Sequence, residues 1–227
     1  MATRPIFIPS NSRSSLVQVV QVNLEWQSGF SIVQKQKNIR NLHFQSSELG
    51  YAPILEISTK SESVLGRNLS AFNLKIELEG KKSNVENFYQ SSKVFEYGGP
   101  FIDLLSFSPK DAKRDERLRD SGKLTNFCLF GRIWELTPRT AFYDWLYLTA
   151  LLQNPKESSK LLEYNGFSDI EFNPKKSVNC QARSAAMFVS LYKLNLLEEA
   201  LLNTKFFLNL YDQADKDSPT QMSLFSN

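Results

Sequence analysis

Three side chains that could take part in chemistry are spaced so that a single helix would align them. Glu86, Gln90 and Lys93 occupy positions i, i+4 and i+7 of the stretch SNVENFYQSSKVFEYGGP. On a helix, residues at this spacing lie one above another along one face. A carboxylate, an amide and an amine beside a core could form one wall of an active site. The neighbouring apolar stripe consists of Val85, Phe88, Tyr89, Ser92 and Phe95.

The same stretch also fits an ordinary helix without a catalytic role. Ser83 and Glu86 have the spacing of a capping box, which satisfies two free backbone N–H groups at a helix start. Gly98-Gly99-Pro100 predicts the helix end, since glycine accepts the left-handed conformation found there. Lys93 would then lie near the last turn, where the helix dipole favours cations. Spacing alone leaves both interpretations open.

A second set of candidates lies in the polar stretch SDIEFNPKKSV. Asp169 is a candidate acid, Phe172 can stack on a ring, and Lys175 and Lys176 can meet phosphates. Asn179 follows, and it predicts the N-cap of a helix whose free N–H groups and dipole attract anions. The alternative is a connecting loop with solvated lysines.

The composition excludes several kinds of site. His43 is the single histidine, which excludes two-histidine zinc helices, and we expect it at a helix end. The sequence has no P-loop, no GxGxxG and no glycine-flanked serine nucleophile. Cys128 and Cys180 stand far apart, as in proteins of a reducing compartment. We therefore expect no metal and no cofactor, and a chemistry that rests on carboxylates, amines, amides and aromatic rings.

Length and charge indicate a soluble globular protein. The chain has 227 residues, of which 41% are hydrophobic and 22% charged, enough to bury a substantial core. Its formal net charge of +3 permits a polyanionic substrate without demanding one. No apolar run reaches membrane-spanning length, and the start lacks the apolar core of a signal peptide. We expect a cytoplasmic protein that has no membrane partner.

Local patterns divide the chain into three regions. Residues 1–50 predict strand, strand and helix, which we expect to pack on the core as an extension. Residues 51–212 form the main domain, and residues 213–227 predict a disordered tail because they are poor in apolar side chains. The N-terminal helix carries cations that could lie along phosphates or simply face solvent, namely Lys35, Lys37 and Arg40.

Within the main domain, alternation predicts strands at residues 54–60 and 72–78, and a strand or hairpin around Gly131 at residues 127–136. The mixed charges of residues 110–123 predict a solvated helix face. Capping signals predict helices that begin near Ser108-Pro109, Thr137-Pro138, Pro155, Asn179, Leu196 and Thr204. The helix after Thr137-Pro138 has a predicted buried stripe of Phe142, Trp145, Leu148, Thr149 and Leu152.

The stretch LSAFNLKIELEGKKSNVENFYQSSKVF resembles the opening signature of the NADAR family, named for NAD and ADP-ribose. In that family an SxF-type turn, a strand and a short turn precede a helix with a Glu-aromatic-Gln-x-x-Lys-x-Phe order. The resemblance implies an α+β fold with a mostly helical core and a small antiparallel sheet. The matching residues are Glu86, Phe88, Tyr89, Gln90, Lys93 and Phe95.

Three later pieces resemble the family in the same order. SPKDAKR is similar to its Ser-Pro-x-x-Ala helix, FYDWLYLTALL to its Trp-containing helix through Trp145, and SDIEFN to its acidic-aromatic loop, followed by Asn179. The chain departs from the pattern at Phe172, where a tryptophan is usual, and at Asn173, where a glycine is usual.

Residues 1–210, including RPIFIP, QKQKNIRNLH and FNPKKSVNCQARSAA, more specifically resemble NADAR antitoxins encoded beside a guanine-targeting DNA ADP-ribosyltransferase toxin. The resemblance implies hydrolysis of the N-glycosidic bond between ADP-ribose and guanine in DNA. ADP-ribosylated DNA would be the substrate, ADP-ribose the product, and the toxin a possible partner.

The resemblance also implies roles for the candidate residues. Glu86 would stabilise the positive charge that develops at the anomeric carbon, or position the water. Lys93 would hold a phosphate or ring oxygen as a cation, or attack the opened sugar as a Schiff-base nucleophile. Asp169 would bind a ribose hydroxyl or act as a second carboxylate. The candidate substrate-binding residues are Gln90, Trp145, Phe172, Lys175, Lys176, Asn179 and Arg183.

Trp145 and Phe172 are the proposed stacking partners of a base, with a place in the core as the alternative for Trp145. Two other functions stay open for the whole chain. A metabolic N-glycosidase would act on small phosphoribosyl amines of the riboflavin-pathway type, and cations of the N-terminal helix beside the pocket would argue against it. A non-catalytic protein would bind ADP-ribose or the toxin without releasing a product.

Overall fold

The computed structural model describes residues 1–174 and 177–216. Within these ranges, no helix combines the length and the apolar character that crossing a bilayer requires. Two short 3₁₀ helices, Ile102–Ser106 and Ser159–Glu163, accompany the α-helices. The α-helices are α1 (Ile32–Glu48), α2 (Val64–Asn68), α3 (Val85–Ser91), α4 (Pro109–Arg114), α5 (Arg117–Asp120), α6 (Ala141–Gln153), α7 (Pro155–Ser158), α8 (Gln181–Lys193), α9 (Leu197–Leu202) and α10 (Thr204–Lys216).

The strands are β1 (Ala2–Ser12), β2 (Ser15–Leu24), β3 (Ile54–Glu56), β4 (Lys75–Leu78), β5 (Lys81–Asn84), β6 (Lys93–Phe95), β7 (Leu124–Leu129), β8 (Arg132–Trp134) and β9 (Gly166–Ser168). In the described residues they form a sheet of order β2-β1-β9-β3, a β4-β5 pair and a β6-β7-β8 sheet. The α+β class is confirmed. The two smaller sheets are antiparallel, whereas the four-stranded sheet is mixed because β3 and β9 run parallel.

The N-terminal hairpin belongs to the four-stranded sheet. β1 pairs with β2 along most of its length, and it pairs with β9 at Phe7 and Phe167. On the other side, Phe167 pairs with Leu55 of β3. Residues before and after position 50 therefore share one sheet, with β9 between them. The division into residues 1–50 and 51–212 stays a prediction.

The core is centred on α6, which is buried on nearly every face. The predicted stripe was therefore too narrow, because a helix covered by neighbours on all sides has no single apolar face. Trp145 is buried as predicted, Leu152 is exposed, and Tyr147, outside the stripe, is completely buried. The hydroxyl of Tyr147 donates to the carbonyl oxygen of Leu69 at 2.6 Å, which satisfies the polar end of this ring.

Several predicted boundaries are confirmed, and others move by a few residues. Ser108 caps α4, and its Oγ accepts from the N–H of Asp111 at 3.2 Å. α6 begins at Ala141, because residues 138–140 form a turn closed by the N–H of Ala141 and the carbonyl oxygen of Pro138. α10 continues to Lys216, so it includes residues 213–216 that were assigned to the tail. Residues 217–227 lie outside the described residues.

The helix that carries Glu86 ends earlier than the sequence pattern predicted. α3 stops at Ser91, and Lys93 belongs to β6, where it pairs with Phe127 of β7. No capping box forms, because the hydroxyl of Ser83 donates to the carbonyl oxygen of Leu105 at 2.7 Å and Asn84 occupies the N-cap position. Gly98-Gly99-Pro100, which was predicted to end the helix, instead follows β6 and lies in the turn after it.

Gly99 lies where a side chain would collide with the backbone of Lys93. Its φ is +88°, and an alanine Cβ would lie 2.2 Å from the carbonyl oxygen of Lys93. Gly131 has a similar φ of +83° and open space around it. We predict that Gly131→Ala lowers the free energy of unfolding by about 1–2 kcal/mol through φ alone. Gly99→Ala should lower it by at least about 3 kcal/mol, because the collision adds to the strain.

Urea denaturation of the two variants and the unaltered chain measures both losses. Equal losses in the two variants would show that the close approach to Lys93 contributes nothing to stability.

Candidate active site

A cavity of about 780 Å³ collects most of the residues that the sequence singled out. This cavity, the cleft, lies between α3, α4, β6 and the segment that joins β9 to α8. Glu86, Gln90 and Lys93 line one side, and Asp169 and Phe172 line the other. The two sets of candidates, separated widely in sequence, therefore face a common space.

Glu86 presents a buried carboxylate to the cleft. Its backbone N–H donates to the carbonyl oxygen of Ala71 at 3.0 Å, which fixes the first turn of α3. The residue is only 5% exposed, and Oε1 accepts a hydrogen bond from Nε2 of Gln90 at 2.8 Å. The Nζ of Lys113 lies 3.4 Å from the same oxygen. One amide and one ammonium thus accompany this carboxylate.

Three polar atoms that line the cleft have no hydrogen-bond partner among the described residues. They are Oγ of Ser70, Oε1 of Gln90 and Oδ1 of Asn179, and all three are buried. For Gln90 the orientation is fixed, because the Glu86 carboxylate can only accept and must face the amide nitrogen. An unsatisfied buried polar group costs about 1–3 kcal/mol, so these oxygens are suited to receive hydrogen bonds from a ligand.

Lys93 reaches the cleft from β6. Its side chain is half-buried, and Nζ lies 4.9 Å from the centre of the Tyr89 ring. Burial lowers the pKa of Lys93 to about 8. The nearby Glu86 raises this pKa, and the nearby Lys113 lowers it. An appreciable part of the amine is therefore uncharged near neutral pH, which is the form that can act as a nucleophile.

Asp169 follows β9 directly and faces the cleft from the opposite side. Its Oδ1 accepts from the N–H of Glu171 at 3.0 Å, and Oδ2 accepts from Nε2 of Gln181 at 3.1 Å. Burial raises the pKa of Asp169 to about 8, and the neighbouring Glu56 carboxylate adds to the rise. The carboxyl group is therefore largely protonated near neutral pH and can donate a hydrogen bond.

Gln181, at the start of α8, joins the two sides of the cleft. Its Oε1 accepts from the N–H of Ala71 at 2.8 Å, while Nε2 donates to the carbonyl oxygen of Ile57 at 2.7 Å and to Asp169. Since the carbonyl oxygen of Ala71 accepts from the N–H of Glu86, two hydrogen bonds connect Gln181 to α3. Gln181 therefore sets the separation of the Glu86 and Asp169 sides.

A second buried carboxylate, Glu56, accepts hydrogen bonds from the two residues that flank Asp169. Its Oε2 accepts from Oγ of Ser168 at 2.6 Å, and Oε1 accepts from the N–H of Ile170 at 2.9 Å. Because Ser168 gives its proton to Glu56, its oxygen accepts from Nε2 of His43 at 2.9 Å. Burial lowers the pKa of His43 to about 4. His43 is thus a neutral partner of β9 in the middle of α1, and not the expected helix-end histidine.

A family model described as the DarT1-associated NADAR antitoxin matches residues 2–221. The chain belongs to this family. No curated protein matches the sequence. The resemblance carried by the motifs is confirmed, and the match includes the N-terminal hairpin as well as the segments that line the cleft.

Two predicted binding residues of this NADAR antitoxin do not line the cleft. Trp145 packs in the core against Trp134, with ring centres 5.3 Å apart, and its Nε1 donates to the carbonyl oxygen of Leu201 at 3.3 Å. Arg183 donates to Oδ2 of Asp144 at 2.8 Å. It follows Gln181 by two positions on α8, and residues at that spacing point in different directions. The contacts of Trp145 and Arg183 with substrate stay predictions, and the lining of the cleft does not support them.

Asn179 lines the cleft without capping α8. Its Nδ2 donates to the hydroxyl of Tyr89 at 2.7 Å, and Cys180 occupies the N-cap position. The bond ties Asn179 to α3, while its Oδ1, the atom that an N-cap would use, has no partner among the described residues. Lys175 and Lys176, the proposed phosphate contacts, lie outside the described residues.

The cations of α1 do not line the cleft, although Lys35 contacts Glu171, which does. Lys35 pairs with Glu171 at 3.0 Å, Arg40 pairs with Glu62 at 2.8 Å, and Lys37 is exposed. None of the three lines the cleft. The argument that these cations favour DNA over a small substrate therefore keeps support from Lys35 alone.

The sequence patterns missed several residues that line the cleft. The signal for Lys110, Lys113 and Arg114 of α4 was the motif SPKDAKR, whose mixed charges predict a solvated helix face. Ser70 and Phe72 stand in the SxF-type turn of the family signature, which by itself does not indicate a place in the cleft. Gln181 carried no signal, since an isolated glutamine fits many local structures. The missed residues include Ser58, Ser70, Phe72, Lys110, Lys113, Arg114, Tyr143 and Gln181.

The raised pKa of Asp169 predicts that this residue lowers stability as pH rises. The pKa of Asp169 is about 8 in the folded chain, against an ordinary value of 3.8. Between these two pH values, Asp169 keeps its proton in the folded chain and loses it in the unfolded chain. The contribution of Asp169 to the free energy of unfolding therefore falls from about pH 4 to about pH 8. We expect Asp169→Asn to reduce this fall by at least about 1.4 kcal/mol, which corresponds to one pKa unit.

Urea denaturation across this pH range tests the expectation, with Glu171→Gln as a matched control in the same segment. The same pH dependence in the unaltered chain and in both variants would contradict it.

Proposed function

We propose that this NADAR antitoxin is a glycohydrolase that removes ADP-ribose from guanine in DNA by hydrolysing the N-glycosidic bond. It would thereby reverse the modification made by a DarT1 toxin. Membership of the DarT1-associated family supports the antitoxin role. The observation that carries the proposed chemistry is the buried carboxylate of Glu86, which faces the same cleft as Lys93 and Asp169.

Glu86 is suited to stabilise a cationic transition state. Cleavage of a ribosyl C–N bond develops positive charge at the anomeric carbon, and a fixed carboxylate in a site that excludes water stabilises it strongly. The hydrogen bond from Gln90 and the contact with Ala71 hold Glu86 in place before substrate arrives. The same carboxylate can orient the water that attacks the sugar.

Lys93 has two possible roles in this reaction. As an ammonium, it would hold a ring or phosphate oxygen. As a neutral amine, it would add to the anomeric carbon of the opened ribose while the bond to guanine breaks. Water would then hydrolyse the resulting imine, which frees the sugar and restores the amine. A pKa of about 8 permits both roles at neutral pH.

Hydroxyl and N–H groups of the substrate would bind the unpartnered oxygens of the cleft. Ser70, Gln90 and Asn179 supply these acceptors, and a protonated Asp169 supplies a donor. Phe172, half-buried at the cleft, provides a ring on which a base can stack. Such a mixture of polar atoms and one aromatic face matches a ribose attached to a nucleobase.

The proposed function places the protein where DNA and the toxin are, in the cytoplasm of the cell that makes both. Removal of the modification acts on DNA and does not itself require contact between the antitoxin and the toxin. A physical complex with a DarT1 toxin would be an additional property.

We predict that the chain releases ADP-ribose from an oligonucleotide ADP-ribosylated on guanine. Glu86→Gln removes the negative charge in nearly the same volume, so turnover should fall at least about 100-fold. Lys93→Ala should cause a loss of similar size. Release of free ADP-ribose, followed by chromatography, measures turnover in each variant.

The matched controls are Glu62→Gln and Lys156→Ala, which remove the same charges at positions outside the cleft and should keep full activity. If the unaltered chain leaves the modification intact, the hydrolase proposal is wrong. Unchanged turnover in either cleft variant would remove that residue from the mechanism.

The same assay separates the other two functions. A metabolic N-glycosidase would hydrolyse small phosphoribosyl amines and leave the modified oligonucleotide untouched. A non-catalytic protein would bind ADP-ribose without releasing it from DNA. Borohydride added during turnover would trap an imine on Lys93 as a stable adduct visible by mass spectrometry.

The pH dependence of turnover distinguishes the two roles of Lys93. The profile is measured with Asp169→Asn, which removes the other cleft group whose pKa is about 8. If the neutral amine attacks the sugar, kcat/KM should rise with pH and level off above about pH 8, since deprotonation follows the lowered pKa. If the ammonium acts as a cation, kcat/KM should instead fall above about pH 8. Lys93→Arg, which stays protonated, should be inactive in the first case and retain activity in the second.

A further inference from the structure

α4 presents a group of cations to the cleft. Lys110, Lys113 and Arg114 all line it, and their i, i+3, i+4 spacing puts them on one face of the helix. The acid of this helix, Asp111, is engaged at the N-terminus, where the hydroxyl of Ser108 donates to its Oδ2 at 2.6 Å. The charges of α4 are therefore divided between the cap and the face that lines the cleft.

The acids that line the cleft do not balance these cations. Burial raises the pKa of Asp169 to about 8, so its carboxyl group is largely uncharged near neutral pH. Glu171 is paired with Lys35 at 3.0 Å. Glu86 carries the remaining negative charge, and Lys113 lies beside it at 3.4 Å.

Among the residues that the structure describes, Lys110 and Arg114 have no carboxylate within ion-pair distance. Lys60 and Lys93 add two further cations to the lining of the cleft. A concave site with excess positive charge attracts and concentrates anions.

Lys113 is held by contacts on the cleft side although its side chain is 55% exposed. Its Nζ lies 5.1 Å from the centre of the Phe72 ring, and Phe72 itself lines the cleft. With the carboxylate of Glu86 on the other side, the ammonium has a defined position next to the proposed reaction centre. The cation is thus placed before any ligand binds.

We propose that Lys110, Lys113 and Arg114 form a phosphate-binding site, which in the proposed reaction holds the diphosphate of the ADP-ribosyl group. This inference rests on the proposed function. The diphosphate is attached to the same ribose whose anomeric carbon would face Glu86, so it must emerge close to that carboxylate. Lys113 stands there, and the guanidinium of Arg114 can bind phosphate oxygens in pairs.

The phosphodiester backbone of DNA has the same chemistry as this diphosphate and could occupy the same cations. Binding of two ligands distinguishes these occupants: free ADP-ribose carries the diphosphate, and an unmodified oligonucleotide carries the DNA backbone. The informative variant is Lys110→Gln/Arg114→Gln, which leaves the Glu86–Lys113 contact intact. The control, Lys156→Gln/Lys160→Gln, removes the same charge from exposed positions outside the cleft.

Isothermal titration of the three proteins with each ligand measures the effect. We expect the Kd for ADP-ribose to rise at least about tenfold in the α4 variant, as expected for lost charge-assisted hydrogen bonds, and less than about twofold in the control. Thermal unfolding verifies that both variants are folded.

Weaker binding of ADP-ribose with unchanged binding of DNA supports the diphosphate assignment. Weaker binding of both ligands supports a phosphate site shared with the DNA backbone, whereas weaker binding of DNA alone overturns the diphosphate assignment. The phosphate-binding site is overturned if the α4 variant loses no more affinity than the control. It is also overturned if the unaltered chain binds neither ligand. Binding is measured without turnover, so a chain that binds ADP-ribose and fails to hydrolyse modified DNA would contradict the proposed function alone.

Discussion

The cleft depends on the buried carboxylate of Glu56. Glu56 accepts hydrogen bonds from Ser168 and Ile170, the residues on either side of Asp169. Burial raises the pKa of Glu56. Leaving such a buried group without partners costs about 1–3 kcal/mol, and here the two hydrogen bonds hold the β9 segment against β3. Through Ser168, the same network reaches His43 on α1. Burial of this carboxylate therefore fixes the backbone on both sides of Asp169, which lines the cleft.

Burial also sets the protonation of the groups that face the cleft. It lowers the pKa of Lys93 and raises that of Asp169, in both cases because the charged form is disfavoured away from water. The two shifts bring an amine and a carboxyl group toward their neutral forms at similar pH. Glu86 has partners in Gln90 and Lys113, which hold its carboxylate at one point of the cleft. This arrangement suits a reaction in which positive charge appears on a sugar.

Elements governed by local chemistry were predictable, such as the Ser108 cap of α4 and the hairpin after β7. The continuation of α3 to Lys93 was wrong because pairing with Phe127, a distant residue, decides that segment. Ser83 failed as a cap for a similar reason, since the carbonyl oxygen of Leu105 takes its hydroxyl. Motif order brought Glu86, Gln90, Lys93 and Asp169 together as candidates. Periodicity could not choose the direction of Trp145 on a helix that is buried all round, and mixed charge concealed the cations of α4.

The position of β9 between β1 and β3 determines when the protein becomes functional during its synthesis. β1 and β3 leave the ribosome early, but the strand that joins them, Gly166–Ser168, emerges only after most of the chain has been translated. Asp169 and Gln181 follow it. Contacts between segments so distant in sequence also form slowly. A chain whose translation stops before residue 166 therefore has only one side of its cleft, and an antitoxin of this design can act only after β9 and α8 have been made.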